Sequence, residues 1–193
     1  MTNEAWVLPW EGGASAKADR IDMNIPNMLT VFRIFLIPIF LAVYFSSPET
    51  HLLQAVGIFV LAGVTDVLDG YIARKYNQIT KFGTVMDPLA DKLMLMTALT
   101  SFTITGIVPL FLLIIILAKE IFMIVGGILT YRKGIINPAN KFGKTATFLF
   151  HVSMVTLVFN RNMGLIILVA AALVGMVAMI SYIRITLEKK KDL

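Results

Sequence analysis

Residues 65–92 read TDVLDGYIARKYNQITKFGTVMDPLADK, which puts four aspartates, two glycines and an arginine into a chain of mean hydropathy +0.81. Asp66 and Asp69 are spaced i,i+3 and Asp87 and Asp91 i,i+4, so on helices each pair shares one face. Two neighbouring helices carrying these pairs would aim four carboxylates at one point. Anions held that close repel and resist desolvation, so such a cluster is stable only around cations or with protons retained. All-oxygen donors favour magnesium, manganese or calcium over zinc. A pair of divalent ions bridged by carboxylates would clamp phosphate oxygens and steady attacking and leaving groups.

The residues between the acids fit the same chemistry. Gly70 and Ala73 lie beside Asp69 on the helix and, lacking bulk, let a ligand approach the backbone. Arg74, i+8 from Asp66 and i+4 from Gly70, stays near that face and offers a forked donor for phosphate. Gly83 falls in the polar connection NQITKFG (77–83), where a turn or a close contact calls for glycine. The competing reading makes the carboxylates solvated interfacial charges paired with Arg74, Lys75 and Lys92. Small residues at the helical neighbours of the acids weigh against it.

The rest of the chain sets the medium. Of 193 residues 58% are hydrophobic and 15% charged, whereas a soluble globule has about half and about a quarter. The chain is therefore expected to be an all-α integral membrane protein. Its length suits six transmembrane helices of roughly 20 residues each. Hydrophobic runs cover residues 28–45, 52–71, 89–102, 108–131, 145–159 and 163–183. None alternates polar and apolar residues as barrel strands do. Arg33 and Pro38 interrupt the first run, and Lys119 and Glu120 lie inside the fourth, where ionisable groups are costly. Adjacent on a helix, those two point about 100° apart and are not an ideal salt-bridged pair.

The absence of cysteine excludes disulfides, thiol nucleophiles and Cys-ligated metals. A net charge of +5 fits basic loops against anionic lipid; the chain has too little polar surface for a nucleic-acid partner. Residues 1–22 read as a polar leader, tag or mobile tail ahead of one domain, 23–193. Basic residues gather before the first run (Lys17, Arg20), between the second and third (Arg74, Lys75, Lys81), between the fourth and fifth (Arg132, Lys133, Lys141, Lys144) and after the sixth (Arg184, Lys189, Lys190, Lys191). The other connections hold only Arg161. The positive-inside rule then places both termini and the acid cluster on the cytoplasmic side of the inner membrane. His51 and His151 are read as non-ligands, one at an external loop and the other at an isolated apolar position. Gly126 and Gly127 would allow close helix packing, a hint of a dimer.

Asp66, Asp69, Gly70, Ala73, Arg74, Gly83, Asp87 and Asp91 match every specified position of a D-x2-D-G-x2-A-R-x8-G-x3-D-x3-D signature. In these residues the chain resembles the CDP-alcohol phosphatidyltransferase family, and the likeness runs from NIPNMLTVFRIFLIP (24–38) to the last run. The resemblance implies a six-helix fold, a homodimer and a polar cavity open to the cytoplasm. It implies a two-metal site of Mg2+ or Mn2+ on Asp66, Asp69 and Asp87, with Asp91 as both ligand and general base. It also implies that Gly70 and Arg74, with Ala73 and Gly83 nearby, accommodate the cytidine diphosphate of CDP-diacylglycerol. An acceptor hydroxyl, deprotonated by the base, would attack the phosphorus attached to the lipid and release CMP.

Asn27, Thr30 and Arg33 match a PN-x2-T-x2-R element that borders the cavity in this family. Asn27 and Thr30 fall with the donor contacts, Arg33 with the acceptor contacts. Together with MDPLADKL (86–93) this element looks most like the phosphatidylglycerophosphate synthase branch, whose acceptor is glycerol 3-phosphate. An anionic acceptor needs cations. NPANKFGKTAT (137–147) supplies Lys141 and Lys144, with Lys119, Arg132 and Lys133 as further candidates; Arg132 and Lys133 serve equally well as topology charges. The branch usually shows G-K-x-K-T followed by glutamine, and here Ala146 and Phe150 replace the second lysine and the glutamine. Lys119 stands where an arginine usually precedes the acid. Phosphatidylglycerol, serine, inositol and inositol phosphate are the alternative acceptors. A cation transporter is a more distant alternative, and the chain lacks the internal repeat expected of one.

Overall fold

The computed structural model describes residues 24–46, 51–76, 78, 80–132 and 141–191. The leader at 1–22 and Lys133 lie outside the described residues, as does the side chain of Arg132. Six α-helices follow in order: α1 (Ile25–Ser46), α2 (His51–Lys75), α3 (Lys81–Ile104), α4 (Leu110–Arg132), α5 (Lys141–Phe159) and α6 (Arg161–Lys191). No strand occurs among the described residues. Each expected run falls on one helix. Five of the helices are long and apolar enough to cross a membrane; the sixth, α3, carries Asp87, Asp91 and Lys92 in its first half.

The helices outrun the apolar stretches at their polar ends, because backbone hydrogen bonding continues wherever the chain can supply caps. α3 begins at Lys81 rather than near Leu89 because Thr80 caps it: extended at φ −111°, ψ 154°, its Oγ1 accepts from the Gly83 N–H at 2.9 Å. Gly83, expected in a connection, thus lies in the first turn of α3. Likewise α5 begins at Lys141, so Lys141 and Lys144 stand on its first turn. α1 continues unbroken through Arg33 and Pro38.

α1 packs on α2 and α3, α5 on α6 and α2, and α4 on α6 and α3. Phe40, Phe59, Leu99, Phe102, Met154 and Leu168 fill the space between them. Phe35, Val67, Phe148 and Ile166 face outward, an apolar surface suited to lipid. α6 turns back tightly on α5: the Met163 N–H bonds Asn160 Oδ1 at 3.1 Å, and a Cβ on Gly164 would stand 2.6 Å from the Leu157 backbone. Gly106, at φ +75°, ends α3 in the left-handed region. Arg161 reaches this turn, donating to the carbonyls of Gly106 and Ile107 at 3.0 Å each. Gly126 and Gly127 lie against Tyr182 of α6 in the same chain, whose hydroxyl is 2.6 Å from Thr130 Oγ1.

Candidate active site

The last third of α2 presents Asp66 and Asp69, the first half of α3 Asp87 and Asp91, and the start of α1 fills the crevice between them with Asn27, Thr30 and Arg33. Arg33 is the centre of the arrangement. Its guanidinium is 1% exposed, lies 2.7 Å from Asp66 Oδ1, pairs with Asp69 Oδ2, and approaches the Asp87 carbonyl at 3.4 Å. Thr30 donates to Asp87 Oδ1. Thr80, while capping α3, donates to Asn27 Oδ1 at 2.8 Å. A Cβ on Gly83 would sit 3.0 Å from Asn27 Oδ1 and 3.4 Å from Asp87 Oδ2. Glycine there lets α1 and α3 approach each other beside the acid.

The four carboxylates were expected to converge on one point. In the structure the carboxylates of Asp66 and Asp69 hold Arg33, which reaches Asp87 only at its backbone carbonyl, and among the described residues no three His, Cys, Asp or Glu side chains close tightly enough to enclose an ion. Asp66 nevertheless lies within electrostatic reach of both Asp87 and Asp91. The guanidinium shows that the acids accommodate positive charge between them. Their hard oxygen donors suit Mg2+ or Mn2+ in chemical type. Arg33, assigned in sequence to the acceptor, is thus placed among the acids.

Asp91 has a partner that the sequence reading set aside. His151 Nε2 on α5 lies 3.4 Å from Asp91 Oδ1. Its Nδ1 is 2.9 Å from the Thr147 carbonyl; a carbonyl only accepts, so Nδ1 donates there, and Nε2 donates to the Asp91 carboxylate when the imidazole carries a hydrogen on both nitrogens. Phe59 stacks on the imidazole at 5.2 Å, and Gly63 leaves room for its edge. The available signal was helical spacing, since His151 is i+4 from Thr147 and i+7 from Lys144.

Arg74 is exposed at the end of α2 and folds back over Gly70, its Nη2 3.6 Å from where a Cβ would stand. Ala73 is half-buried one turn away. Lys141 and Lys144 are exposed. Lys119 and Glu120, expected to diverge, pair at 2.5 Å, and the other Glu120 oxygen takes Lys92 of α3 at 2.8 Å.

Two hollows flank the start of α5. A groove of about 980 Å³ runs between α2 and α5, with Asp66, Lys144 and His151 among otherwise mostly apolar walls such as Phe59, Val67 and Phe148. A smaller cavity of about 170 Å³, walled by α3, α4, α5 and α6, holds Asp91, Lys92, Lys119 and Glu120. Both are lined by Gly143 and Thr147, so they adjoin there. Asp66 faces the large apolar groove and Asp91 the small charged one.

Fold and site define an integral membrane protein with several spans and a polar centre at one end of its helices. The sequence model of the CDP-alcohol phosphatidyltransferase family matches residues 23–181. The chain is 37% identical over 177 residues to the CDP-diacylglycerol--glycerol-3-phosphate 3-phosphatidyltransferase of Rickettsia bellii, covering 86% of this chain and 96% of that one. It is 32% identical over 181 residues to the probable phosphatidylglycerophosphate synthase of Mycobacterium tuberculosis, covering 90% and 86%. It is also 34% identical over 160 residues to a cardiolipin synthase (CMP-forming) of Streptomyces coelicolor, covering 80% and 74%. The chain belongs to the CDP-alcohol phosphatidyltransferase family and is a membrane-bound enzyme of that class.

Proposed function

We propose that this enzyme transfers the phosphatidyl group of CDP-diacylglycerol to glycerol 3-phosphate, giving phosphatidylglycerol phosphate and CMP, at the cytoplasmic face of the inner membrane and as a homodimer. The observation that carries the reading is the pair of adjoining hollows: one is apolar and large enough for acyl chains, the other small, charged and next to Asp91. The names of the relatives support the same substrates.

Asp91 takes the proton from the acceptor hydroxyl, and His151 holds its carboxylate from the side of α5. Gly70, Ala73 and Arg74 border the donor's cytidine diphosphate, with Asn27, Thr30 and Gly83 shaping the floor between α1 and α3. Asp66, Asp69, Asp87 and Asp91 are the residues that would hold Mg2+ or Mn2+, which when bound would neutralise pyrophosphate charge. Arg33 keeps these acids together from within. Lys144 and Lys141 guide anions to the entrance, and Lys119 meets the acceptor phosphate. The hydroxyl oxygen displaces CMP at the phosphorus attached to the lipid, so no covalent enzyme intermediate is needed.

The cardiolipin synthase among the relatives supplies the second reading, with phosphatidylglycerol as acceptor. The small cavity favours the first: at about 170 Å³, with Lys92 and Lys119 in its wall beside Asp91, it suits a short anionic acceptor better than a second lipid. The test is an acceptor panel. Purified enzyme with CDP-diacylglycerol and Mg2+ or Mn2+ is offered glycerol 3-phosphate, phosphatidylglycerol, serine, inositol and inositol phosphate, and CMP is measured. Release with glycerol 3-phosphate is expected, with its loss in excess chelator; release with phosphatidylglycerol alone would move the chain to the second reading, and full turnover in chelator would remove the metal.

Lys144→Ala separates anion binding from topology charge. Loss of one exposed guiding charge, worth about 0.2–1 kcal/mol, is expected to raise the KM for glycerol 3-phosphate about threefold at low salt, with little change in the KM for CDP-diacylglycerol. An unaltered acceptor KM would leave Lys144 as a positive-inside residue only.

A further inference from the structure

Gly175, in the middle of α6, is buried against the side chain of a lysine from α4. A Cβ built there would stand 2.9 Å from Lys119 Nζ, 3.4 Å from its Cδ and 3.6 Å from its Cε. Lys119 therefore lies flat across a buried position of α6 that has no side chain. Its ammonium also sits 5.4 Å from the centre of the Phe150 ring, within range of cation–π attraction. Its side chain is only 9% exposed. Gly175, Phe150, Lys119 and Asp91 all line the same small cavity.

The charges lining that cavity are unevenly paired: Asp91 faces His151 across 3.4 Å, which leaves Glu120 as the acid for both lysines. Glu120 uses one carboxylate oxygen for Lys119 and the other for Lys92. Two ammonium groups share one carboxylate, so this trio carries one positive charge in excess. A charge held in an apolar surround is costly unless paired. An anion entering beside Asp91 would supply the missing partner.

We propose that Gly175 is a positioning residue for acceptor specificity: its missing side chain is the space in which Lys119 lies, and this directs the Lys119 ammonium to the phosphate of the acceptor in the cavity beside Asp91. The proposal rests on the reading that the acceptor is glycerol 3-phosphate. Gly175 itself touches no reacting atom and acts through Lys119.

Gly175→Ala tests it cleanly. Alanine is the better helix former, and the group it displaces is the far end of a flexible side chain, so the fold is retained and the thermal midpoint does not fall. Steady-state kinetics on the purified enzyme, with CDP-diacylglycerol and glycerol 3-phosphate varied separately, give the reading. The KM for glycerol 3-phosphate is expected to rise about tenfold, the effect of one charge-assisted hydrogen bond, while the KM for CDP-diacylglycerol and kcat change far less. Lys119→Met should give a similar rise, and adding Gly175→Ala to it should give nothing further. An unmoved acceptor KM in Gly175→Ala, or full additivity in the double variant, would overturn the proposal while leaving glycerol 3-phosphate as acceptor. A parent enzyme that turns over only neutral acceptors would overturn both.

Discussion

Asp91→Asn is expected to cut CMP release about 10³-fold or more, within the contribution of about 10²–10⁴ that a positioned general base makes, while CDP-diacylglycerol still binds. The substitution keeps the shape of the side chain and an oxygen that can face His151, whose Nε2 lies 3.4 Å from Asp91 Oδ1. What it removes is the ability to take a proton from an acceptor hydroxyl. The donor contacts proposed for Gly70 and Arg74 lie on α2 and are untouched. Single-turnover CMP release together with equilibrium binding of CDP-diacylglycerol checks both halves. Turnover within about tenfold of the parent would sink the assignment of Asp91 as base, since a base contributes at least about 10²-fold.

The second large effect belongs to Arg33. Arg33→Met should lower stability by about 3–5 kcal/mol, the cost of leaving a buried charge without its partner. Most of this comes from Asp69, only 2% exposed; Asp66 is 38% exposed, and water screens its share. Because a ligand that binds only the native state stabilises it, Mg2+ or Mn2+ should raise the unfolding midpoint more in the variant than in the parent. The detergent-solubilised proteins, melted with and without divalent ion, provide the measurement. A variant as stable as the parent in both conditions would mean that Arg33 does not neutralise the acids.

Arg33 also shows where sequence reading stopped. It stands in an apolar run, and its place in the PN-x2-T-x2-R element together with its charge put it with the acceptor contacts. The structure puts it against the carboxylates of aspartates 33 and 36 positions away and the backbone carbonyl of a third 54 positions away. No helical period relates such residues; the angle at which α1 lies against α2 and α3 does. His151 was passed over for a similar reason. Between Phe148, Phe150 and Val152 it has no polar neighbour in sequence, and its partner Asp91 is on another helix. Lys119 and Glu120 were expected to diverge because adjacent Cβ bonds do, yet long flexible stems bring their ends to 2.5 Å.

By contrast, the i,i+3 and i,i+4 aspartate pairs, the small residues beside them and the six apolar runs were legible from residues 65–92 outward. Each is a property of one helix, whose period is set by its own backbone hydrogen bonds and does not depend on what surrounds it. Helix ends were less legible: the Thr80 cap moves the start of α3 to Lys81 and brings Gly83 inside the helix. Which face of each helix turns inward depends on many weak packing contacts summed over the whole bundle. That sum places Arg33 among the acids, His151 against Asp91, and Lys119 in the space that Gly175 leaves open.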